Sequence, residues 1–221
     1  MQIGGGFAPT TLPANRNAPI SLQGYAHIKT KDGSHPPALT RLTIEYDKHG
    51  RVETRGLRVC RRNQLENTTV QDARRACRGT IVGNGFGKAV IKFPDQAPIP
   101  ASTPLTIFNG PRVGGDPTVL AHAYLTVPVP TTFVVPVRIQ RINKGRFGYR
   151  TEARIPAIAG GYGSSVYGRI KVGQTWRFKG RRLSYINARC VGGRLQARGF
   201  FNFRDGSSLT GSLFRPCKVR R

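Results

Sequence analysis

Few residues in this chain are placed to do chemistry. The four histidines, His27, His35, His49 and His122, form no H-x-x-x-H or H-E-x-x-H pair. A metal site needs two or three such side chains converging on one point, so neither a metal nor another cofactor is expected. His49 falls in a turn, His35 lies beside Pro36-Pro37 in a loop, and His122 sits on a strand near Tyr124. Glu45 and Asp47 share one face of a strand, about 7 Å apart along the backbone. That spacing suits a two-carboxylate inverting glycosidase, but in so basic a chain the plainer expectation is that each carboxylate pairs with an arginine. Gly161–Gly168 misses the spacing of both G-x-S-x-G and G-x-G-x-x-G. Gly83-Asn-Gly85-Phe-Gly87-Lys88 has the glycines of a phosphate loop but not its length or its following Ser/Thr, and it opens a strand instead of a helix. It reads as a hairpin turn. No residue is assigned a catalytic role.

The cysteines are Cys60, Cys77, Cys190 and Cys217. None forms a C-x-x-C, and an even count suits two disulfides. Four cysteines allow three connectivities; the local pairs Cys60–Cys77 and Cys190–Cys217 are favoured. Each closes a short loop and stabilises by about 3 kcal/mol in the loop-entropy treatment. Bonded cysteines leave no thiol nucleophile and favour an oxidising compartment. Four free thiols in a cytosolic protein are the alternative.

Charge is the other informative feature. Thirty-six Lys and Arg face ten Asp and Glu, a net charge of +26 on 221 residues. Residues 1–110 carry +8 and residues 111–221 carry +18. A folded surface this cationic attracts polyanions: nucleic acid, anionic lipid or an acidic polymer. Arginine supplies 27 of the cations. It binds phosphate and carboxylate bidentately, although GC-rich coding also favours it and a general solvated basic surface is the plainer reading. The densest cationic stretches are Arg138, Arg141, Lys144, Arg146 and Arg150, then Arg177, Lys179, Arg181 and Arg182, the candidate anion-binding residues. Trp176 and Phe178 alternate with Arg177 and Lys179, so they belong to a buried face and not to a base-stacking platform. No recognition helix, zinc finger or RNP pattern is present to read bases.

Short alternating segments position these residues. Leu42, Ile44 and Tyr46 alternate with Thr43, Glu45 and Asp47, giving one buried and one wet face. Asp47–Gly50 turns the chain, with Val52–Arg55 returning as a hairpin partner. Thr80–Gly83 and Lys88–Phe93 flank the glycine turn. Val119, Ala121, Ala123, Leu125 and Val127 form one face; Phe133, Val135, Val137 and Ile139 form another, interrupted by Pro136, which fits an edge or a bulge. Leu195, Ala197, Gly199, Phe201 and Phe203 alternate with Arg194, Gln196, Arg198 and Arg204. Thr69-Val70-Gln71-Asp72 resembles a capping box and starts a short helix to Cys77; it explains Thr69 better than the glycosylation match Asn67-Thr68-Thr69. No run of 18 apolar residues exists to span a membrane. The opening Met1-Gln-Ile-Gly-Gly-Gly-Phe does not read as a signal peptide.

The segments KDGSHPPAL (31–39), LTIEYDKHGRVETRGLRVC (42–60), RRACRGTIVGNG (74–85), FNG (108–110), HAY (122–124), PVPTTFVVPVRI (128–139), GRFGYRTEARIPAIAGG (145–161), GRRLSYINARC (180–190) and FRDGSSL (203–209) carry a resemblance. From about residue 20 to 218 the chain resembles a family of uncharacterised exported β-rich proteins of high-GC Gram-positive (actinobacterial) bacteria. The resemblance implies secretion and agrees with disulfides. It brings no activity and no functional residues. Its members begin with a signal peptide, and this chain departs from them there.

The sequence therefore predicts an all-β, antiparallel, sandwich-like domain over residues 20–221, with about a dozen short strands and one short helix near residues 70–77. Residues 1–19 read as a flexible lead-in. Two smaller β domains split near residue 128 are the alternative. The expected role is that of a non-enzymatic exported or cell-envelope protein that binds an anionic polymer or membrane surface electrostatically. A hydrolase of extracellular polymers and a cytoplasmic nucleic-acid binder are the competing expectations.

Overall fold

Side chains that alternate in character favour strands, because successive residues point to opposite faces. The computed structural model, which describes residues 1–220, follows that alternation and is all-β. In chain order the elements are β1 (Gln2–Ala8), β2 (Thr11–Leu12), β3 (Ala18–His27), β4 (Leu39–Asp47), β5 (Gly50–Val52), α1 (Val70–Ala76), β6 (Ile81–Ile91), β7 (Ile99–Val113) and β8 (Asp116–Leu125). There follow β9 (Thr131–Lys144), β10 (Phe147–Arg154), β11 (Gly163–Val172), β12 (Thr175–Phe178), β13 (Arg181–Ser184), β14 (Ile186–Ala188), β15 (Arg194–Phe203), β16 (Ser208–Pro216) and β17 (Lys218–Val219). Among the described residues, no helix is long and apolar enough to cross a membrane.

One antiparallel sheet of 13 strands runs in the order β16-β15-β4-β10-β9-β8-β7-β6-β11-β3-β14-β5, with β1 also on β3. It curls until β16, at one end, meets β1. Arg215 Nε donates to the Gly5 carbonyl, and the Ile3 side chain fills the space over Gly211. The two halves thus face each other as the layers of a sandwich. Between them lies a core that includes Phe7, Ile20, Val82, Ile107, Ile139, Tyr185 and Leu195, drawn from both ends of the strand order. Strands from either side of residue 128 interleave, since β4 lies between β10 and β15.

The alternation on β8 and β9 is as read: Ala121 pairs with Val135 and Ala123 with Phe133, so both apolar faces are the same inner face. Pro136 lies on a strand with two neighbours. Pairing of β9 with β10 stops at Val137–Ala153, however, so Pro136 has a partner only on β8. It occupies a local edge, where its missing N–H breaks no ladder.

Other segments differ from the sequence reading. Residues 84–87 are no turn; β6 runs straight through them. Gly83 and Gly85 lie where β6 presses against β11, and a Cβ on either would collide with the β11 backbone. The glycines serve close strand approach. Residues 50–52 do not fold back on β4 but pair with β14. Residues 1–19 contain β1, β2 and the start of β3, with Phe7 and Leu12 buried. Short polar and glycine-rich strands such as these give little hydrophobic period to read.

Both disulfides form as the local pairs. Cys60 and Cys77 have Cα atoms 5.4 Å apart, and Cys190 and Cys217 5.9 Å apart. The first ties down residues 61–76, whose helix α1 is capped by Thr69: its hydroxyl accepts from Asp72 N at 3.3 Å and donates to Asp72 Oδ2 at 2.6 Å. Cys60, Leu65, Ala73 and Cys77 pack this excursion onto the outer face of the sheet over Phe108 and Leu120. The second disulfide joins the main core.

Candidate anion-binding site

Where several hairpins end together, their turn residues surround whatever space the core leaves. Here the turns after β4, between β7 and β8, and between β9 and β10 enclose a cleft of about 1110 Å³. Ile139, Val52 and Tyr149 contribute apolar wall and also pack on the main core. The remaining wall is cationic: Lys48 and Arg51 from the first turn, Arg112 from the second, Arg141 from β9, and Arg189 just after β14.

Among the described residues, none of these five cations has a carboxylate within ion-pair distance. Arg112 is steered by neutral acceptors, donating to the Gly115 carbonyl and, at 3.0 Å, to Thr54 Oγ1. Arg189 is half-buried, and its backbone N–H donates to the His49 carbonyl at 3.2 Å. The acid on the cleft wall, Asp116, is taken by Arg138 at 2.7 Å. Cations gathered around a partly enclosed space raise the local concentration of anions.

His49 also lines the cleft. Its Nδ1 lies 2.7 Å from Asp47 Oδ1, which accepts the His49 backbone N–H as well, at 3.0 Å. Asp47 Oδ2 accepts from Gln196 N at 3.3 Å and faces Arg146 Nε at 3.5 Å. Asp47 is 4% exposed, so these contacts take the place of water around its carboxylate.

Neither Glu45 nor Asp47 is wet, contrary to the alternation. Glu45 sits across from Arg150 on β10 and Arg198 on β15. Their guanidinium groups grip its two oxygens at 2.7 and 2.6 Å and cover it to 1% exposure. Burial pushes the carboxyl up, but the hydrogen bonds from Arg150 and Arg198 prevail and hold it below the ordinary 4.5. A carboxylate committed to two arginines is not a free acid or base, so the glycosidase pairing with Asp47 is absent.

Of the nine candidate cations, the cleft takes Arg141. Arg138, Arg146 and Arg150 are occupied by Asp116, Asp47 and Glu45. Lys144 lines a smaller groove of about 360 Å³ with Arg41 and Arg150. Arg177, Lys179, Arg181 and Arg182 ride on the β12–β13 hairpin, where Arg177 stands directly opposite Arg182. Lys179 and Gly180, at φ 49° and 72°, make its tight turn. Trp176 Nε1 donates to the Arg55 carbonyl at 3.0 Å and its ring packs half-buried against the main core, while Phe178 lies half-buried against Gly56 at the surface. The sequence did not single out Lys48, Arg51, Arg112 or Arg189. Each lies in or beside a turn, and only the strand order brings those turns together.

His122 is fully buried beneath residues 61–76. Its Nε2 lies 3.1 Å from Thr68 Oγ1 and 3.2 Å from the Thr68 carbonyl, while Nδ1 has no partner. Burial pulls its pKa below the ordinary 6.5, against a smaller upward effect of the Thr68 carbonyl. It is a core residue, remote from the cleft. Among the described residues, no cluster of three His, Cys, Asp or Glu side chains could hold a metal. The chain matches no protein-family model, no curated protein and no solved structure.

Proposed function

We propose that the protein binds an anionic polymer through the cleft walled by Lys48, Arg51, Arg112, Arg141 and Arg189, and that it works outside the cytoplasm. The observation that carries this reading is five cations around one cleft with no carboxylate within ion-pair distance among the described residues. The one acid on the wall, Asp116, is held by Arg138, and turns from three parts of the chain bring the five cations to one concave space. Arginine suits phosphate, sulfate and carboxylate oxygens by its paired donors. Two disulfides support an oxidising compartment, in keeping with the resemblance to exported β-rich proteins.

Such binding is electrostatic and releases counterions. Retention of the disulfide-intact chain on heparin and on single-stranded DNA across a salt series tests it. Five phosphate contacts predict a slope of log K on log salt of about −3.5. Release from both matrices below physiological salt would show that the charge is incidental.

A further inference from the structure

The pairing of His49 with Asp47 inside the cationic cleft has chemical consequences. Resting on the anion-binding reading of that cleft, we propose that His49 Nε2 is a general base that takes the proton of a ribose 2′-hydroxyl, so that the protein cleaves RNA held by the surrounding arginines.

Three observations converge on this. The Asp47 carboxylate accepts from Nδ1 at 2.7 Å and is itself locked by the His49 and Gln196 backbone N–H groups. A carboxylate there fixes the ring proton on Nδ1 and leaves the Nε2 lone pair as acceptor. No described side chain engages Nε2. The same cleft is walled by Lys48, Arg51 and Arg189, cations of the kind that stabilise the charge growing on a phosphoryl group. The cleft wall offers no serine, threonine or cysteine as a nucleophile. A phosphodiester that carries its own nucleophile needs none, and RNA is that substrate.

The step balances. The 2′-oxygen forms a bond to phosphorus as its proton passes to His49 Nε2. The bond from phosphorus to the 5′-oxygen breaks, and that oxygen takes a proton from water. The imidazolium then returns its proton to the hydroxide so formed. The products are a 2′,3′-cyclic phosphate and a free 5′-hydroxyl, with no oxidant or metal required by the balance.

The test uses the full chain with its disulfides intact, an end-labelled single-stranded RNA, and DNA of the same sequence. The wild-type chain should cleave the RNA to cyclic-phosphate ends and leave the DNA whole. His49→Gln, purified identically and compared at saturating RNA, should cleave at least about 100-fold more slowly, the usual scale of a lost general base. His49→Asn serves as a second variant if the first is unstable. RNA bound tightly but left intact overturns the proposal and spares the binding reading. Cleavage equal in His49→Gln and wild type at saturating RNA overturns it. Failure of the wild-type chain to retain either nucleic acid at low salt sinks the cleft reading itself.

Discussion

Single buried charges decide much of this protein's local energetics. Glu45 is gripped by two arginines that are each about one-third exposed, so the triad is neither a dry ion pair nor a surface one. Removing one partner of a buried pair leaves the other charge uncompensated; with the arginines partly hydrated, Glu45→Gln should cost about 2 kcal/mol, read by urea unfolding. Because the fold holds this carboxyl below 4.5, its contribution is complete above that pH and is lost as the pH falls further. His122 acts in a higher window. The unfolded chain takes up a proton near pH 6.5 that the buried ring resists, so stability is present above 6.5 and declines as the pH falls below it. Unfolding free energy measured from pH 8 to 5 should show that decline in the wild type and a smaller one in His122→Gln, where His35, held down by burial and Lys92, still contributes. Of this, the sequence reveals that Glu45 and Asp47 meet arginine. It does not reveal their burial, because the covering guanidinium groups come from β10 and β15, about 100 and 150 residues away along the chain.

Elements fared better where their pattern was local. The helix, its Thr69 cap and both disulfides follow from short-range signals: a hydroxyl three residues before a carboxylate, and cysteines 17 and 27 residues apart. Thr69→Ala should cost about 1 kcal/mol by exposing the helix N–H groups. Replacing Cys60 and Cys77 together by alanine should cost about 3 kcal/mol and release residues 61–76 from Phe108 and Leu120, seen as faster amide exchange there than in β15. The β6 glycines misled for a physical reason. Turns and close strand approaches both select glycine, and only the neighbouring β11 distinguishes them. The partner of β5, β14, lies more than 130 residues further on, so no local signal reveals that pairing.

At the scale of the whole molecule, the alternation made an all-β sandwich legible, while the curling that joins β1 to β16 and gathers the turns was not. The candidate cations chosen by density along the chain were dispersed over the surface, and three of them were already neutralised. Those that form the cleft came from separate turns. Global charge alone would make any removal of arginine equivalent to any other; the cleft makes them unequal. The direct comparison is single-stranded DNA affinity, at one fixed salt concentration and across a series, for Arg51→Ala/Arg141→Ala and for Arg177→Ala/Arg182→Ala, which lower the net charge equally. The cleft pair should weaken binding at least about tenfold and reduce the salt slope by about 1.4, with the hairpin pair near wild type. Equal losses from the two pairs would contradict a cleft and leave only a diffuse cationic shell.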